Sequence, residues 1–275
     1  MTLLLCKRNK IELKGDLIFT AVVGEEGRSE GTERLVLEGI HADRAIVGEP
    51  SQFDYAIGHR GLEWIEIHVK GKIAHSGVAE TGVNAISKAA QFIVELEKEL
   101  GPKLKERNNP YTGPSILNFG RIDGGTQPST VADQCTIQLD RRYVRGESVE
   151  DVIGEIQAVI NRLSGEDASF QATCRPMAAN QMNHLYHVPM LTDPKDPLVH
   201  VLHNSIRKVT SHNPKISTKR GWTDGGLISH YAKIPTVICG PGDIAYSHSR
   251  NEKIEIKQLE HAVRIYLQTA IDFCQ

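Results

Sequence analysis

The side chains of this sequence that could do chemistry are three glutamates and one histidine, each placed after a short apolar run: Glu25, Glu26, Glu49 and His248. Carboxylate oxygen and imidazole nitrogen are ligands that suit zinc or a similar divalent ion. A further carboxylate left free beside the metal can take a proton from the metal-bound water, whose pKa zinc lowers to roughly 7. If the four side chains converge, they predict a hydrolytic metal centre.

Each of these residues also has an ordinary structural explanation when it is taken alone. Adjacent glutamates such as Glu25 and Glu26 are common on solvated surfaces, and Glu49 before Pro50 could simply end a strand. His248 could be an exposed loop histidine. Two like charges directly after an apolar run and Gly24 would repel each other unless a cation held them, which favours the metal hypothesis.

Convergence requires that the apolar runs be strands of one sheet. The runs 16–23, 42–47 and 236–239 are short, apolar and partly β-branched, as in buried parallel strands. The carboxyl ends of parallel strands lie along one edge of an open sheet, where ligands bind. Helices are predicted over 32–38, 198–209 and 257–273, so these outer parts of the chain indicate an α/β domain.

The middle of the chain has a different pattern. Alternating apolar residues predict strands, and apolar residues at three- and four-residue spacing predict helices. The first predicted helix stops at Gly101-Pro102, and the second begins at a cap formed by Ser148 with Asp151. The predicted elements are strand 65–69, helix 83–100, strands 115–121 and 134–141, helix 148–163 and strand 168–174. The order β-α-β-β-α-β is that of a ferredoxin-like α+β module.

The predicted architecture is therefore an α/β domain, made of residues 1–57 and 185–275, that is interrupted by a lid at 58–180. A formal net charge of −2 argues against nucleic acid or an anionic membrane as partner and favours a small molecule. The five cysteines form no CxxC pair and indicate a reducing compartment. No signal peptide or membrane span is expected at the start, so we predict a cytoplasmic protein.

Six motifs occur in an order and spacing that resemble one known family. They are VVGEEG, VGEPS, KGKIAHSGVAETGVNAI, GGTQPSTVADQCTIQLDRR, WTDGG and GPGDIAYSHSRNE. Together they resemble the two-zinc amidohydrolases that include acetylornithine deacetylase, succinyl-diaminopimelate desuccinylase, aminoacylase and glutamate carboxypeptidase. The resemblance covers nearly the whole chain. It implies that residues 1–57 and 185–275 form a partial phosphorylase/hydrolase-like α/β catalytic domain and that residues 58–180 form a ferredoxin-like α+β lid or dimerisation domain.

The resemblance implies a role for each metal-site residue. Glu25 corresponds to the general base, Glu26 and His248 to ligands of one zinc, and Glu49 to a ligand of the other. The family binds two zinc ions per subunit, and Co²⁺ or Mn²⁺ could replace zinc. His184 and His187 form a weaker possible metal pair, which could complete a single-metal site.

The resemblance also implies roles for residues of the lid and the substrate loops. His75 corresponds to the lid histidine that stabilises the oxyanion, in dimers in the partner subunit's active site, so a homodimer formed through the lid is expected. Arg142, in a D-x-R strand end, is suited to bind a substrate carboxylate. The remaining substrate-side positions implied are Ser129, Thr223, Asp224, Gly240 and Gly242.

The sequence departs from the family pattern at its start and in one loop. The H-x-D segment and the bridging aspartate of the family have no counterpart, so the ligand set is incomplete and the chain is expected to be N-terminally truncated. Ser129 and Ala132 stand where relatives often have asparagine and proline.

The resulting prediction is a metal-dependent hydrolase that cleaves the amide bond of an N-acyl amino acid or a similar small substrate bearing a carboxylate. A dipeptidase or carboxypeptidase of the same family is the alternative within this enzyme class. A non-catalytic dimeric fragment without a complete metal site is the alternative outside it.

Overall fold

The computed structural model describes residues 1–274, which divide into two units. Within the described residues, the discontinuous unit contains residues 1–59 and 189–274, and the inserted unit contains residues 60–188. The elements in chain order are α1 Thr2–Arg8, α2 Glu30–Leu37, β1 Ala45–Val47, β2 Gly58–His59, β3 Gly61–Lys70, β4 Ala74–His75, α3 Ala85–Glu106, β5 Asn108–Asn109, β6 Gly113–Pro114, β7 Ile116–Gly124, β8 Thr130–Val131, β9 Gln134–Tyr143, α4 Val149–Glu166, β10 Gln171–Pro176, β11 Met190–Leu191, α5 Pro197–Thr210, α6 Gly225–His230, β12 Thr236–Ile238 and α7 Ile256–Phe273. No helix among these is long and apolar enough to cross a membrane.

The discontinuous unit is a mixed α/β structure. Strand β1 pairs in parallel with β12, from Ala45 opposite Thr236 to Val47 opposite Ile238. Strand β2 pairs antiparallel with β11. Helix α6 contacts β1, β11 and β12, whereas α5 and α1 pack against α7. The α/β fold expected for the outer parts of the chain is confirmed.

The first predicted strand of this unit is wrong. Residues 16–23 form no strand in the described part of the chain, and most of their apolar side chains are exposed, with Phe19 74% and Val23 71% accessible. A buried parallel strand needs hydrogen-bonded neighbours and a packed layer on each face. Residues 16–23 have neither, and the backbone of Val23 accepts a hydrogen bond from Gly31 instead.

The inserted unit contains a four-stranded antiparallel sheet in the order β10-β3-β9-β7. The side chains of β3 and β9 alternate between buried and less buried positions, as a sheet covered on one face requires. Helices α3 and α4 share a buried core with that face, which includes Ile65, Phe92 and Ile156. This confirms the expected β-α-β-β-α-β order of the ferredoxin-like module.

The two helices of the inserted unit differ in how well the sequence predicts their ends. The capping box of Ser148 and Asp151 is present and starts α4. Helix α3, in contrast, continues through Gly101 and Pro102 to Glu106, so the predicted stop is wrong. An interior proline removes one helix hydrogen bond. Burial of Leu104, which is 3% exposed, offsets that loss by adding apolar contact to the core.

A buried ion-pair network lies at the edge of this core. The guanidinium of Arg141, 1% exposed, contacts Glu147 at 2.5 Å, and Arg107 contacts the same carboxylate at 2.9 Å. Ser115 donates a hydrogen bond to Glu147, as does the backbone of Val144. Burial acts to raise the pKa of Glu147, but these donors and cations together hold it below its usual value. The network therefore ties β9, α3 and the loop before α4 together.

Glu63 is a second buried carboxyl group of the inserted unit. It lies on β3 opposite Arg141 and is 3% exposed. Burial disfavours the ionised form and raises the pKa of Glu63 from 4.5 to about 7. Because the folded state binds this proton more tightly than the unfolded state, Glu63 makes the protein less stable as pH rises from about 4.5 through 7.

We expect that stability loss to disappear in Glu63→Gln. Between pH 5 and pH 8 the wild type should lose about 2–3 kcal/mol of unfolding free energy that the variant keeps, since one pKa unit corresponds to about 1.4 kcal/mol. Urea unfolding of both proteins at the two pH values measures the difference. Parallel pH dependence in wild type and variant would show that Glu63 ionises without cost.

Candidate active site

Glu25 and Glu26 lie in a tight turn of the discontinuous unit, just before α2. Gly24 has a positive φ of 81°, and its carbonyl accepts hydrogen bonds from Gly27 at 2.9 Å and from Ser29 at 2.7 Å. This left-handed backbone conformation favours glycine, which has no Cβ to strain it. The turn leaves Glu25 half-buried and Glu26 exposed.

Glu25 lies among other carboxyl groups. Burial, followed by the negative charges of Glu49 and Asp224, raises the pKa of Glu25 to about 7, against the opposing effect of the positive charge of Lys219. A carboxyl group that exchanges its proton near neutral pH is suited to general acid–base chemistry.

Asp224 stands at the start of α6 and is 4% exposed. Its Oδ2 accepts a hydrogen bond from Thr32 at 2.6 Å, which links α6 to α2, and the hydroxyl of Ser29 lies near enough to the same carboxyl group to act with Thr32 against the effect of burial on its pKa. Burial raises the pKa of Asp224. Neighbouring Thr223 is fully buried and accepts a hydrogen bond from the backbone of Gly225 at 3.2 Å. Both side chains therefore have positioning contacts inside this unit.

Glu49 follows β1, as the sequence predicts for a residue at a strand exit. Its Oε2 lies 3.0 Å from Nζ of Lys219, and both side chains are largely buried. Gly240 follows β12 and packs directly against the backbone of Glu49, where a Cβ would come within 2.7 Å of the Glu49 carbonyl oxygen. Gly242 has a φ of 92° and donates its backbone N–H to Gln258. Both glycines thus shape the loop beside Glu49.

Glu26 and His248 form the other pair of predicted metal ligands. Oε1 of Glu26 lies 3.9 Å from Nδ1 of His248, and both side chains are more than 70% exposed. Two tetrahedral ligands of one zinc ion lie about 3.4 Å apart, so this pair matches zinc in donor type and would have to close by a few tenths of an ångström to bind one ion. The residues described here contain no group of three or more such side chains that could hold a metal, however. The donors match a divalent ion in type but do not complete its coordination.

Three predicted site residues lie in the inserted unit. The strand pair β4–β8 brings His75 close to Ser129, whose carbonyl accepts a hydrogen bond from Ser76 at 3.0 Å. Nδ1 of His75 accepts a hydrogen bond from the backbone of Gly77 at 3.0 Å, so a neutral His75 carries its proton on Nε2. On β9, Nε of Arg142 donates to Asp140 at 2.9 Å.

His184 and His187 also fall in the inserted unit and belong to no metal-binding group of three or more side chains in residues 1–274. His187 is 4% exposed, and burial lowers its pKa to about 4. A neutral buried imidazole suits a structural histidine. Its backbone carbonyl accepts a hydrogen bond from Tyr143 at 3.0 Å, which anchors the segment after β10.

Sequence reasoning missed Lys219 and Thr32. Lys219 precedes the WTDGG motif by a few residues, and its positive charge is the one feature in the sequence that could have indicated a contact with the carboxylates of the site. Its partner Glu49 lies 170 positions away in the chain, so the contact depends on the fold. Thr32 is the first-turn residue of α2 that fixes Asp224.

Comparisons with known proteins give consistent matches. Residues 57–168 match the peptidase dimerisation domain family. An N-formyl-4-amino-5-aminomethyl-2-methylpyrimidine deformylase from Bacillus subtilis is 33% identical over 98% of this chain and 67% of its own length. An acetylornithine deacetylase from Myxococcus xanthus is 24% identical over 97% of this chain and 67% of its own. The chain thus spans about two thirds of the length of these relatives.

The fold is also shared with a solved structure. A dinuclear metal-binding peptidase of the M20 family from Bacillus subtilis superposes with a TM-score of 0.71 at 18% identity, over 99% of this chain and 69% of that protein.

Proposed function

This chain belongs to the M20 peptidase family, and we propose on that premise that it takes part in hydrolysing the amide bond of a small N-acylated substrate. The observation that carries the proposal is the position of Glu25, which is half-buried near the negative charges of Glu49 and Asp224, an environment that raises its pKa to about 7. A side chain in that state can accept a proton from the attacking water and pass it to the leaving amine.

Metal dependence is part of the proposal and rests on the donor types of Glu26, His248 and Glu49. A divalent ion bound in such a site supplies a Lewis acid and an acidified water. The described side chains alone do not complete such a site. The roles proposed for the protein's own side chains are therefore proton transfer by Glu25 and contacts with the substrate.

The inserted unit supplies further proposed contacts. His75 has its Nε2 proton free for an oxyanion, since Nδ1 is already engaged by Gly77. Arg142 is partly exposed, and its planar guanidinium suits a substrate carboxylate. Ser129, Gly240 and Gly242 are proposed to shape the substrate loops, whereas the buried contacts of Thr223 and Asp224 favour positioning roles.

A panel of substrates tests the proposal and separates deacylation from dipeptide cleavage. The panel contains an N-formyl aminomethylpyrimidine, N-acetylornithine and a dipeptide, each assayed in the presence of Zn²⁺, Co²⁺ or Mn²⁺. We expect the N-formyl or N-acetyl compound to be cleaved with the higher kcat/KM, because the relative at 33% identity is a deformylase. Preference for the dipeptide would support the peptidase alternative. Turnover of none of the three in any metal would contradict the proposal.

We further propose that the chain forms a homodimer through the inserted unit. Helix α3 presents Val94 to solvent at 60% exposure, and β7, an edge strand of the sheet, presents Ile122 at 51%. Exposed apolar side chains beside an open strand edge are typical of a protein–protein interface.

Val94→Glu is expected to convert the dimer to monomer, because an unpaired carboxylate would be buried at the interface. Light scattering coupled to size-exclusion chromatography measures the mass. Val94→Thr, which adds no charge, should remain dimeric. A dimer that survives Val94→Glu would place the interface elsewhere.

A further inference from the structure

Lys253 lies on the loop that follows β12 and carries His248. Its Nζ lies over the ring of Tyr246, 4.8 Å from the ring centre. The side chain is exposed, and no carboxylate of residues 1–274 lies within ion-pair distance of Nζ, although Glu252 and Glu255 are close neighbours in sequence. Lys253 is therefore a cation without an anionic partner in the described part of the chain.

Hydrogen bonds within the loop connect this lysine to the candidate site. The hydroxyl of Ser249 donates to the carbonyl of Tyr246 at 2.7 Å, and the backbone N–H of Glu252 donates to the carbonyl of Ser249 at 3.2 Å. Tyr246 is two residues before His248, whose Nδ1 lies 3.9 Å from the Glu26 carboxylate. The ring beneath the lysine and one side chain of the site thus belong to the same hydrogen-bonded loop.

A free cation matters at this place because the site is rich in carboxyl groups. Glu25 lies near the negative charges of Glu49 and Asp224, and Glu26 follows it in the same turn. A substrate that bears a carboxylate would be repelled by these charges unless a cation faced it. Lys219, the cation that acts on Glu25, is already paired with Glu49 at 3.0 Å.

Lys253 differs in this respect from Arg142, the other cation considered for a substrate carboxylate. Nε of Arg142 already donates to Asp140 at 2.9 Å. The contact of Lys253 with Tyr246 is an attraction between the ammonium charge and the face of the ring, which leaves N–H donors for an anion. The ring also restrains the flexible lysine stem, so less conformational entropy is lost when an anion binds.

We propose that Lys253, held over the ring of Tyr246, is a substrate-binding residue that recognises the carboxylate of an N-acyl amino acid. The inference rests on the proposed function, which supplies the substrate class. It deepens that function by assigning discrimination between carboxylate-bearing and neutral substrates to the loop after β12. The contact joins Lys253 directly to the ligand, so it can be measured in metal-free protein.

Binding of uncleaved ligands to EDTA-treated protein, measured by ligand-observed NMR titration, tests this inference. N-acetylornithine and N-acetylornithinamide differ only in the carboxylate, which the second replaces with a neutral amide of similar shape. The ratio of their affinities should shift about fivefold toward the amide in Lys253→Met, the upper range for one exposed ion pair. Lys253→Arg keeps the charge and should keep the wild-type ratio. Lys195→Met, which removes another exposed lysine of the same unit, should also keep it.

Two further comparisons separate this role from a structural one. Tyr246→Leu should shift the ratio in the same direction as Lys253→Met, whereas Tyr246→Phe, which keeps a ring, should not. The difference between wild type and Lys253→Met should shrink in about 0.5 M NaCl, because salt screens an exposed ion pair.

An unchanged affinity ratio in Lys253→Met would overturn the inference, as would the absence of binding of both ligands to wild type. A ratio that shifts in Arg142→Met and not in Lys253→Met would also overturn it, and would assign the carboxylate to the inserted unit. Turnover is measured separately with metal present. A wild type that cleaves no amide would contradict the proposed function, whereas the binding ratios decide the role of Lys253.

Discussion

Glu25→Gln is expected to lower kcat/KM for amide hydrolysis by about 10²–10⁴-fold, the usual contribution of a positioned acid–base group. The amide of glutamine matches the carboxyl group in shape but cannot carry the proton from water to the leaving amine. The half-buried position of Glu25, with its pKa raised to about 7, makes this side chain the one suited to the step. Steady-state kinetics on the best substrate of the panel measure the effect.

Two measurements make this result specific. Zinc titration should give Glu25→Gln a stoichiometry equal to that of wild type, because Glu25 is proposed to carry protons and not to bind metal. Glu12→Gln, which removes one exposed carboxylate of the same unit that has no proposed role in the site, should retain wild-type kcat/KM. Near-wild-type activity of Glu25→Gln would exclude Glu25 as the proton carrier.

Glu147→Gln is expected to destabilise the protein by about 3–5 kcal/mol. The substitution leaves the buried guanidinium of Arg141 without its closest carboxylate and weakens the contact with Arg107. Removing one partner of a buried ion pair costs more than the pair contributes, because the remaining buried charge loses its compensation, and only the more distant Glu155, 3.8 Å from Arg141, stays as a carboxylate partner. Equilibrium urea unfolding at pH 7, followed by circular dichroism, gives the difference in unfolding free energy.

The direction of the pH dependence provides a further check. The pKa of Glu147 is lowered in the folded state, so its contribution is present above the unfolded pKa and is lost as pH falls through the folded one. The destabilisation by Glu147→Gln should therefore shrink in acid. Glu97→Gln, which removes an exposed carboxylate from α3, should change stability by less than about 0.5 kcal/mol. Equal stability of the two variants at pH 7 would contradict the role given to this network.

The regular parts of the fold follow from local pattern. Alternating burial along β3 and β9 and the capping box of α4 are encoded in adjacent residues, which is why they could be predicted. The strand predicted for residues 16–23 is wrong because an apolar composition gives a strand only where neighbouring strands exist to pair with it. The predicted end of α3 at Gly101-Pro102 is wrong because burial of Leu104 outweighs the local effect of Pro102 on the helix.

The site shows the same division between local and long-range information. Glu49 at the exit of β1 could be placed from the sequence, since a strand end is a local feature. The ion pair of Glu49 with Lys219 and the hydrogen bond of Asp224 with Thr32 join distant segments, so no spacing in the sequence indicates them. The roles of Glu26, His248, His75 and Arg142 stay predictions that variants can test.

Oxygen-isotope incorporation tests the central claim, hydrolysis of an amide bond, most directly. The wild-type protein is incubated with the N-formyl or N-acetyl substrate in ¹⁸O-labelled water with divalent metal present, and the released acid is analysed by mass spectrometry. Hydrolysis predicts that water supplies one oxygen atom of the formate or acetate, in step with release of the amine and at a rate that falls in Glu25→Gln. Absence of labelled acid above the uncatalysed background would contradict the account.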